Sequence, residues 1–436
     1  MEDFEIKDGV LIKYHGKNKN VKIPAGVISI GDYAFDWCDA LLSIEIPNGV
    51  TSIGQGAFFH CSSLGFIKIP NSVTSIGERA FAGCKYLQQI IISDSIVSMG
   101  NRVFEDCYSS LRTNVFINSI NSWLSCSWKK YLIGRIRLFD LNTNTEITLI
   151  NIPDGVTSIE ESTFRGCSSL VSITIPDSVT SIGSYAFYGC RSLESLIIPD
   201  SVTSIGDHAF SWCDSLALIT IPDSVTSIGD YAFFGCSSLT SIVIPGGVTS
   251  IKESTFSECS SLASITIPDS VSTIGSLAFN NCTSLASVII PNNVKSIGRY
   301  AFQGCSSLKS IEIPSSITSI EESTFSGCKS LASITIPDGV ISIGRGAFLG
   351  CLSLKSIVIP DSVKTIGDYA FSTCMFLTSI NIPDSVKTIG DYAFYACRSL
   401  KIISLPSRIR ITGVHTFSIL SPSPLKIVRR KAISHN

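Results

Sequence analysis

Residues 167–190 read CSSLVSITIPDSVTSIGSYAFYGC, and this stretch, Cys167 to Cys190, recurs almost unchanged through most of the chain. Its apolar positions are Leu170, Ile173, Ile175, Val179, Ile182, Ala186, Phe187 and Cys190. So few apolar residues cannot close a core within one copy. Ile173, Thr174 and Ile175 alternate inward and outward, the period of a half-buried strand rather than of a helix. Pro176 removes a backbone donor and ends that strand, and Asp177-Ser178 supplies turn chemistry. A second extended run, Val179 to Ile182, meets Gly183, and the segment through Cys190 reads as one tight helical turn. Each copy is therefore one coil of a solenoid, whose apolar side chains become buried only when neighbouring coils stack.

Prolines test the phase. They fall at Pro24, Pro47 and Pro70, then at Pro153 and every 23 residues to Pro406, which leaves only Pro422 and Pro424 of the 17 unexplained. At the spacing of paired strands, some fifteen coils predict a rod or arc roughly 70 Å long.

The set Leu170, Ile173, Ile175, Pro176, Val179, Ile182, Gly183, Ala186, Phe187 and Cys190 resembles the consensus of the BspA-like, or Treponema-type, leucine-rich repeats. The resemblance covers about residues 21 to 110 and 148 to 420. It implies a leucine-rich-repeat solenoid of β-rich coils, with a parallel sheet on one face and short helical turns on the other. It also implies a surface or secreted protein of adhesion type that binds other proteins, host surface or matrix proteins among them. The matching residues are the buried ones, so the resemblance names no ligand.

Charged residues make up 16% of the 436 and the net charge is -2, which leaves no electrostatic footprint for nucleic acid. No apolar run is long enough to span a membrane. Met1-Glu-Asp-Phe4 has neither the basic start nor the apolar core of a secretion signal. That conflicts with a surface location and leaves three expectations: a cytoplasmic chain, export by another route, or an upstream piece absent from this sequence. Fifteen of the 16 cysteines occupy one repeat phase, Cys38 to Cys107 and Cys167 to Cys397. Stacked in register, their parallel side chains hold the Cβ atoms too far apart for disulfides, so they read as a ladder of buried thiols. No pair has zinc-ligand spacing, and no metal or other cofactor is expected.

Along the chain, residues 1–20 read as a capping hairpin, with Val10 to Tyr14, a polar turn at Gly16 to Asn20, and Val21 to Ile23. A first array of four coils occupies 21–110. Residues 111–147 lose the period. There Arg135 to Leu141, Asn142 to Thr145 and Glu146 to Ile152 read as strand, turn, strand, an insert that ends one array and caps the next. Its aromatics Trp123, Trp128 and Tyr131 either pack a seam or touch a partner. The second array, 148–420, has eleven Cys-terminated coils and a degenerate half-coil marked by Ile409, Gly413, Phe417 and Leu420. Three of its coils carry Glu160, Lys252 or Glu321 for Gly together with Thr163, Thr255 or Thr324 for Ala, an alternative form of the same turn. The tail, 421–436, is basic through Lys426, Arg429, Arg430 and Lys431, and is expected to be disordered.

No catalytic motif is present, and the five histidines have no paired spacing. The chain is expected not to be an enzyme. Solenoids bind along outward, variable positions. The position between the two strand isoleucines gives Lys22, Glu45, Lys68 and Ile91 in the first array, where opposite charges on adjacent strands stabilise the ladder. In the second array the same position gives the candidate binding face: Thr174, Ile197, Thr220, Val243, Thr266, Ile289, Glu312, Thr335 and Val358. Exposed strand positions favour β-branched residues in any case; alternatively the row is a mildly apolar strip that a partner covers. An intracellular interaction scaffold is the alternative function.

Overall fold

A computed structural model describes residues 3–107, 111–406, 409–411, 415–416 and 425–429. The chain divides into two compact units, Met1–Pro176 with Tyr185–Leu193, and Asp177–Ser184 with Glu194–Asn436. The division falls within the coil that ends at Cys190 and not at the aperiodic insert, which belongs wholly to the first unit.

In the first unit the expected strand between the isoleucines forms in every coil; those of the first four coils build one sheet with the strands of the insert, while Leu149–Asn151 pairs separately with Ser172–Thr174. The order of the long sheet is Glu146–Ile147, Arg135–Asp140, Arg112–Ile117, Gln89–Ser93, Phe66–Lys68, Ser43–Glu45 and Asn20–Lys22. All but the first of these pair in parallel and in register. The ladder therefore runs on through the insert, because Arg112–Ile117 and Arg135–Asp140 supply two strands that continue it. The hairpin expected there forms, with Leu138 opposite Ile147 and Phe139 opposite Glu146. A second sheet, made of Ser-Ile pairs such as Ser52–Ile53, lies on another side of the same coils.

The N-terminal hairpin differs in its strands from the expectation. Phe4–Lys7 pairs antiparallel with Val10–Tyr14, and Val10–Tyr14 in turn pairs with Ser29–Ile30. Asp8 and Gly9 both have positive φ, 51° and 77°, which is the two-residue turn that Asp-Gly favours. Val21 instead joins the long sheet. Tyr14 stacks between Phe4 and Phe35, each with ring centroids 5.1 Å away, and so covers the first coil.

In the second unit the three-residue strands form several short parallel sheets, for example Ser241–Val243 with Ser264–Thr266. The Ser-Ile strands make a five-stranded ladder that includes Ser319–Ile320, Ser342–Ile343 and Thr365–Ile366. The remaining face of each coil is a run of turns with residues at positive φ, such as Tyr300 at 60° and Gly304 at 74°. Phenylalanines stack between the sheets and turns, one per coil, from Phe210 through Phe394. Lys426–Arg429, part of the tail expected to be disordered, forms a strand parallel to Ile402–Leu405. The rest of that tail, with Arg430 and Lys431, lies outside the described residues, as do Gly413, Phe417 and Leu420 of the half-coil.

Candidate binding surfaces

The cysteine phase is structural. Every cysteine is free, and all are buried except Cys38 and Cys107, which are half-buried. Most ladder thiols donate to the carbonyl of the phenylalanine 26 residues earlier: Cys84 to Phe58 at 3.2 Å in the first unit, Cys282 to Phe256 at 3.1 Å in the second. Burial pushes the thiols of Cys167, Cys259 and Cys328 up to about 12 from an ordinary 9.0. Such thiols are poor nucleophiles and poor ligands. Among the described residues, no group of three His, Cys, Asp or Glu side chains is placed to hold a metal ion.

The paired substitutions find a local explanation. The hydroxyls of Thr163, Thr255 and Thr324 donate to the carbonyls of Glu160, Lys252 and Glu321 at 2.8, 3.0 and 2.9 Å. All three threonines are buried, so each hydroxyl needs an internal partner. This bond makes the alternative turn one unit of two residues.

Trp123 and Trp128, read as possible partner-touching aromatics, are fully buried. Trp123 Nε1 donates to the Thr163 carbonyl at 3.1 Å and Trp128 Nε1 to that of Ile96 at 2.6 Å, with the two rings edge to face. They pack the insert onto coils on either side of it. Tyr131 is half-buried, beneath the Lys130 ammonium. Lys129 is buried between them and caps the helix Ile120–Ser125 by donating to the carbonyls of Trp123 and Leu124.

The candidate face divides between the units. Thr174 is exposed in the first unit, on a strand paired with Leu149–Asn151. The others follow one another on successive coils of the second unit, and the aliphatic members stand well out: Ile197, Val243, Ile289 and Val358 are 76, 64, 84 and 80% exposed. Their inward neighbours, such as Leu196, Ile242 and Ile357, are buried. Thr220, Thr266, Glu312 and Thr335 lie between them, also exposed. Ile289 lies just past the strand Ser287–Val288, and the coil of Val358 forms no strand at this position, so the ladder is interrupted there.

The long sheet of the first unit carries two grooves on its outward face. Lys22 and Glu45 pair at 2.8 Å as expected. Beside them lies a groove of about 530 Å³, lined by Asn20, Glu45, Asn48, Phe66, Lys68 and Pro70 among others. A second groove of about 590 Å³ shares Asn48, Lys68 and Pro70 with it, and continues to Ile91, Phe116, Leu141 and Asn144. One wall of the second groove comes from the insert, whose strands had no repeat phase to mark them as part of the sheet.

A model of the BspA type leucine-rich repeat region matches residues 7–131, 140–262, 226–354 and 318–428. The chain belongs to this family. It is 30% identical to a leucine-rich repeat protein from Bacteroides ovatus, over 98% of this chain and 97% of that one, with a TM-score of 0.49. It is 32% identical to a leucine-rich cell surface protein from Faecalibacterium prausnitzii, over 66% of this chain and 89% of that one, with a TM-score of 0.48. A leucine-rich repeat protein of T. pallidum is 33% identical over 42% of this chain and 78% of its own, with a TM-score of 0.32. No curated protein matches. BspA-type chains are typically bacterial surface proteins, and leucine-rich-repeat proteins in general are non-enzymatic modules of protein interaction. Among the described residues of this member, no helix is long and apolar enough to cross a membrane.

Proposed function

We propose that this BspA-type chain is a surface or secreted adhesion-type protein, and that the row from Ile197 to Val358 is where it meets a protein partner. The reading rests on one observation: four aliphatic side chains in a single row of the second unit are mostly exposed to water. Single exposed aliphatics are ordinary, but a row of them at a fixed phase gives an apolar strip that a partner would remove from water. The threonines between them supply hydroxyls for the polar contacts of the same interface. The resemblance to a cell surface protein of F. prausnitzii favours the location.

A second reading is favoured by a different observation. All 16 cysteines are free, which suits a reducing compartment and an intracellular scaffold. Protease added to intact cells separates the two: digestion without lysis places the chain outside, and protection until lysis places it inside. On the purified chain, binding to a panel of extracellular-matrix proteins is compared with that of the Ile289→Asp, Val358→Asp double variant. Loss of about tenfold in affinity is expected where the strip is the contact, and equal binding by the variant would remove the strip from the interface.

A further inference from the structure

The sheet of the first unit ends in a concentration of unmatched positive charge. Arg112–Ile117 and Arg135–Asp140 run parallel with Arg112 opposite Arg135, Asn114 opposite Arg137, and Phe116 opposite Phe139. Thr113, Val115 and Ile117 are buried, so the alternation turns Arg112, Asn114 and Phe116 outward. Gly134 makes this register possible: at φ 79° it brings its backbone against the Leu111 carbonyl, where a Cβ would collide. Like charges directly opposite on neighbouring strands destabilise a sheet. Yet Arg112 and Arg135 are both exposed, and among the described residues neither has an acidic partner.

The acids near them are already engaged. Glu45 pairs with Lys22, and Glu146 takes Arg137 through two hydrogen bonds. The Asp94 carboxylate accepts from the Asn118 amide at 2.7 Å, and that of Asp140 from the Asn142 amide at 2.9 Å. Among the described residues, Arg112, Arg135 and Lys68 make no ion pair, although Lys68 lies opposite Glu45 on the neighbouring strand. Lys68 lines the 590 Å³ groove with Ile91, Phe116, Leu141, Asn48 and Asn144. Asn114 stands between the arginines and that groove. It is 8% exposed, and its side-chain amide makes no hydrogen bond among the described residues. Its polar atoms are not enclosed, since the buried side-chain polar atom without a partner among the described residues is the Thr113 hydroxyl, so a bound polar group can reach the Asn114 amide.

We propose that the Arg112–Arg135 pair and the groove beside it dock an acidic, extended peptide segment of a protein partner. Two guanidiniums side by side can hold a carboxylate through paired N–H donors. The unpartnered Asn114 amide bonds the peptide backbone, and the groove takes an apolar side chain against Phe116 and Leu141. From the arginines to Phe116 is four residues of strand, about 13 Å, so the segment carries its acid and its apolar residue about four positions apart. Three cations in a chain of net charge -2 suit one or two carboxylates and not a polyanion, which needs a longer basic track. This site lies in the first unit, and the aliphatic strip belongs to the second.

The test is fluorescence anisotropy of the full chain with labelled peptides of about nine residues, in a Ser/Thr/Gly background, carrying Glu and Phe four positions apart. Saturable binding is expected, weakened about tenfold when Gln replaces Glu, and lost about equally in the Arg112→Gln, Arg135→Gln double variant. Arg398→Gln, an exposed change in the second unit, should leave binding intact. Because the double variant removes a like-charge contact, its melting temperature should equal or exceed that of the parent. Indifference to the Glu-to-Gln change, no binding, a lower melting temperature for the double variant, or stronger binding of a sulfated oligosaccharide or inorganic phosphate than of the peptide would each overturn the proposal.

Discussion

Fifteen cysteines hold one position in the coil, yet they do not share one chemistry. Most of the buried members, such as Cys190 and Cys282, have thiols that burial pushes far up. Cys38 is half-buried, and hydrogen bonding with Cys61 draws its thiol below the ordinary range. Cys107 is half-buried as well, but desolvation pushes its thiol up to about 12. In native protein near pH 8, a thiol-disulfide reagent should therefore label Cys38 first and Cys107 far more slowly. The rest should react only in denaturant. Mass mapping of the labelled peptides checks this, and early labelling of Cys282 or Cys305 would contradict the ladder. At this scale much was legible: a residue type fixed in phase with isoleucine and phenylalanine had to point inward. The Thr-carbonyl bonds were not legible, because a paired substitution shows coupling and not which atoms carry it.

Among the elements, the insert is where sequence and structure part most. Its hairpin could be read from the polar Asn142–Thr145 turn between apolar runs. That Arg112–Ile117 and Arg135–Asp140 continue the parallel sheet could not, because neither carries the Ile-x-Ile-Pro signature, and pairing there rests on partners rather than on local pattern. The Arg112–Arg135 juxtaposition was hidden for the same reason. The N-terminal hairpin was misplaced by one turn: Asp8-Gly9 is the stronger signal, and the polar Gly16–Asn20 stretch connects two different sheets. The tryptophans fix the insert by bonds as well as by area. Trp128→Phe keeps the ring but strands the Ile96 carbonyl, and should cost about 1–3 kcal/mol. Denaturant titration followed by circular dichroism measures this; an unchanged midpoint would show that the indole N–H contributes nothing.

For the whole molecule, the thiol ladder becomes a pH dependence. A raised thiol pKa means that the folded state keeps protons which the unfolded chain releases. This stability is fully present below about pH 9 and is lost as pH climbs towards about 12, where Cys167, Cys259 and Cys328 themselves titrate. Each such thiol contributes a slope of about 1 kcal/mol per pH unit within that window. The denaturation midpoint should therefore fall steeply from pH 8.5 to about 10.5. A flat profile would mean that the thiols titrate as freely in the fold as out of it. The repeat made the solenoid plain from the sequence, since eight apolar residues per coil have no other way to be buried. Which exposed face meets a partner was less plain, because outward residues are held by no packing constraint.

The bonds that join one coil to the next connect residues 22 to 26 apart, as from the Ser270 hydroxyl to Val248 or from Cys259 to Phe233. Few polar contacts reach further. Under tension such a molecule should yield by peeling, one coil at a time, each step releasing about 80 Å of chain. A tether built this way dissipates a pull in many small, nearly equal events and shortens again coil by coil when the load falls.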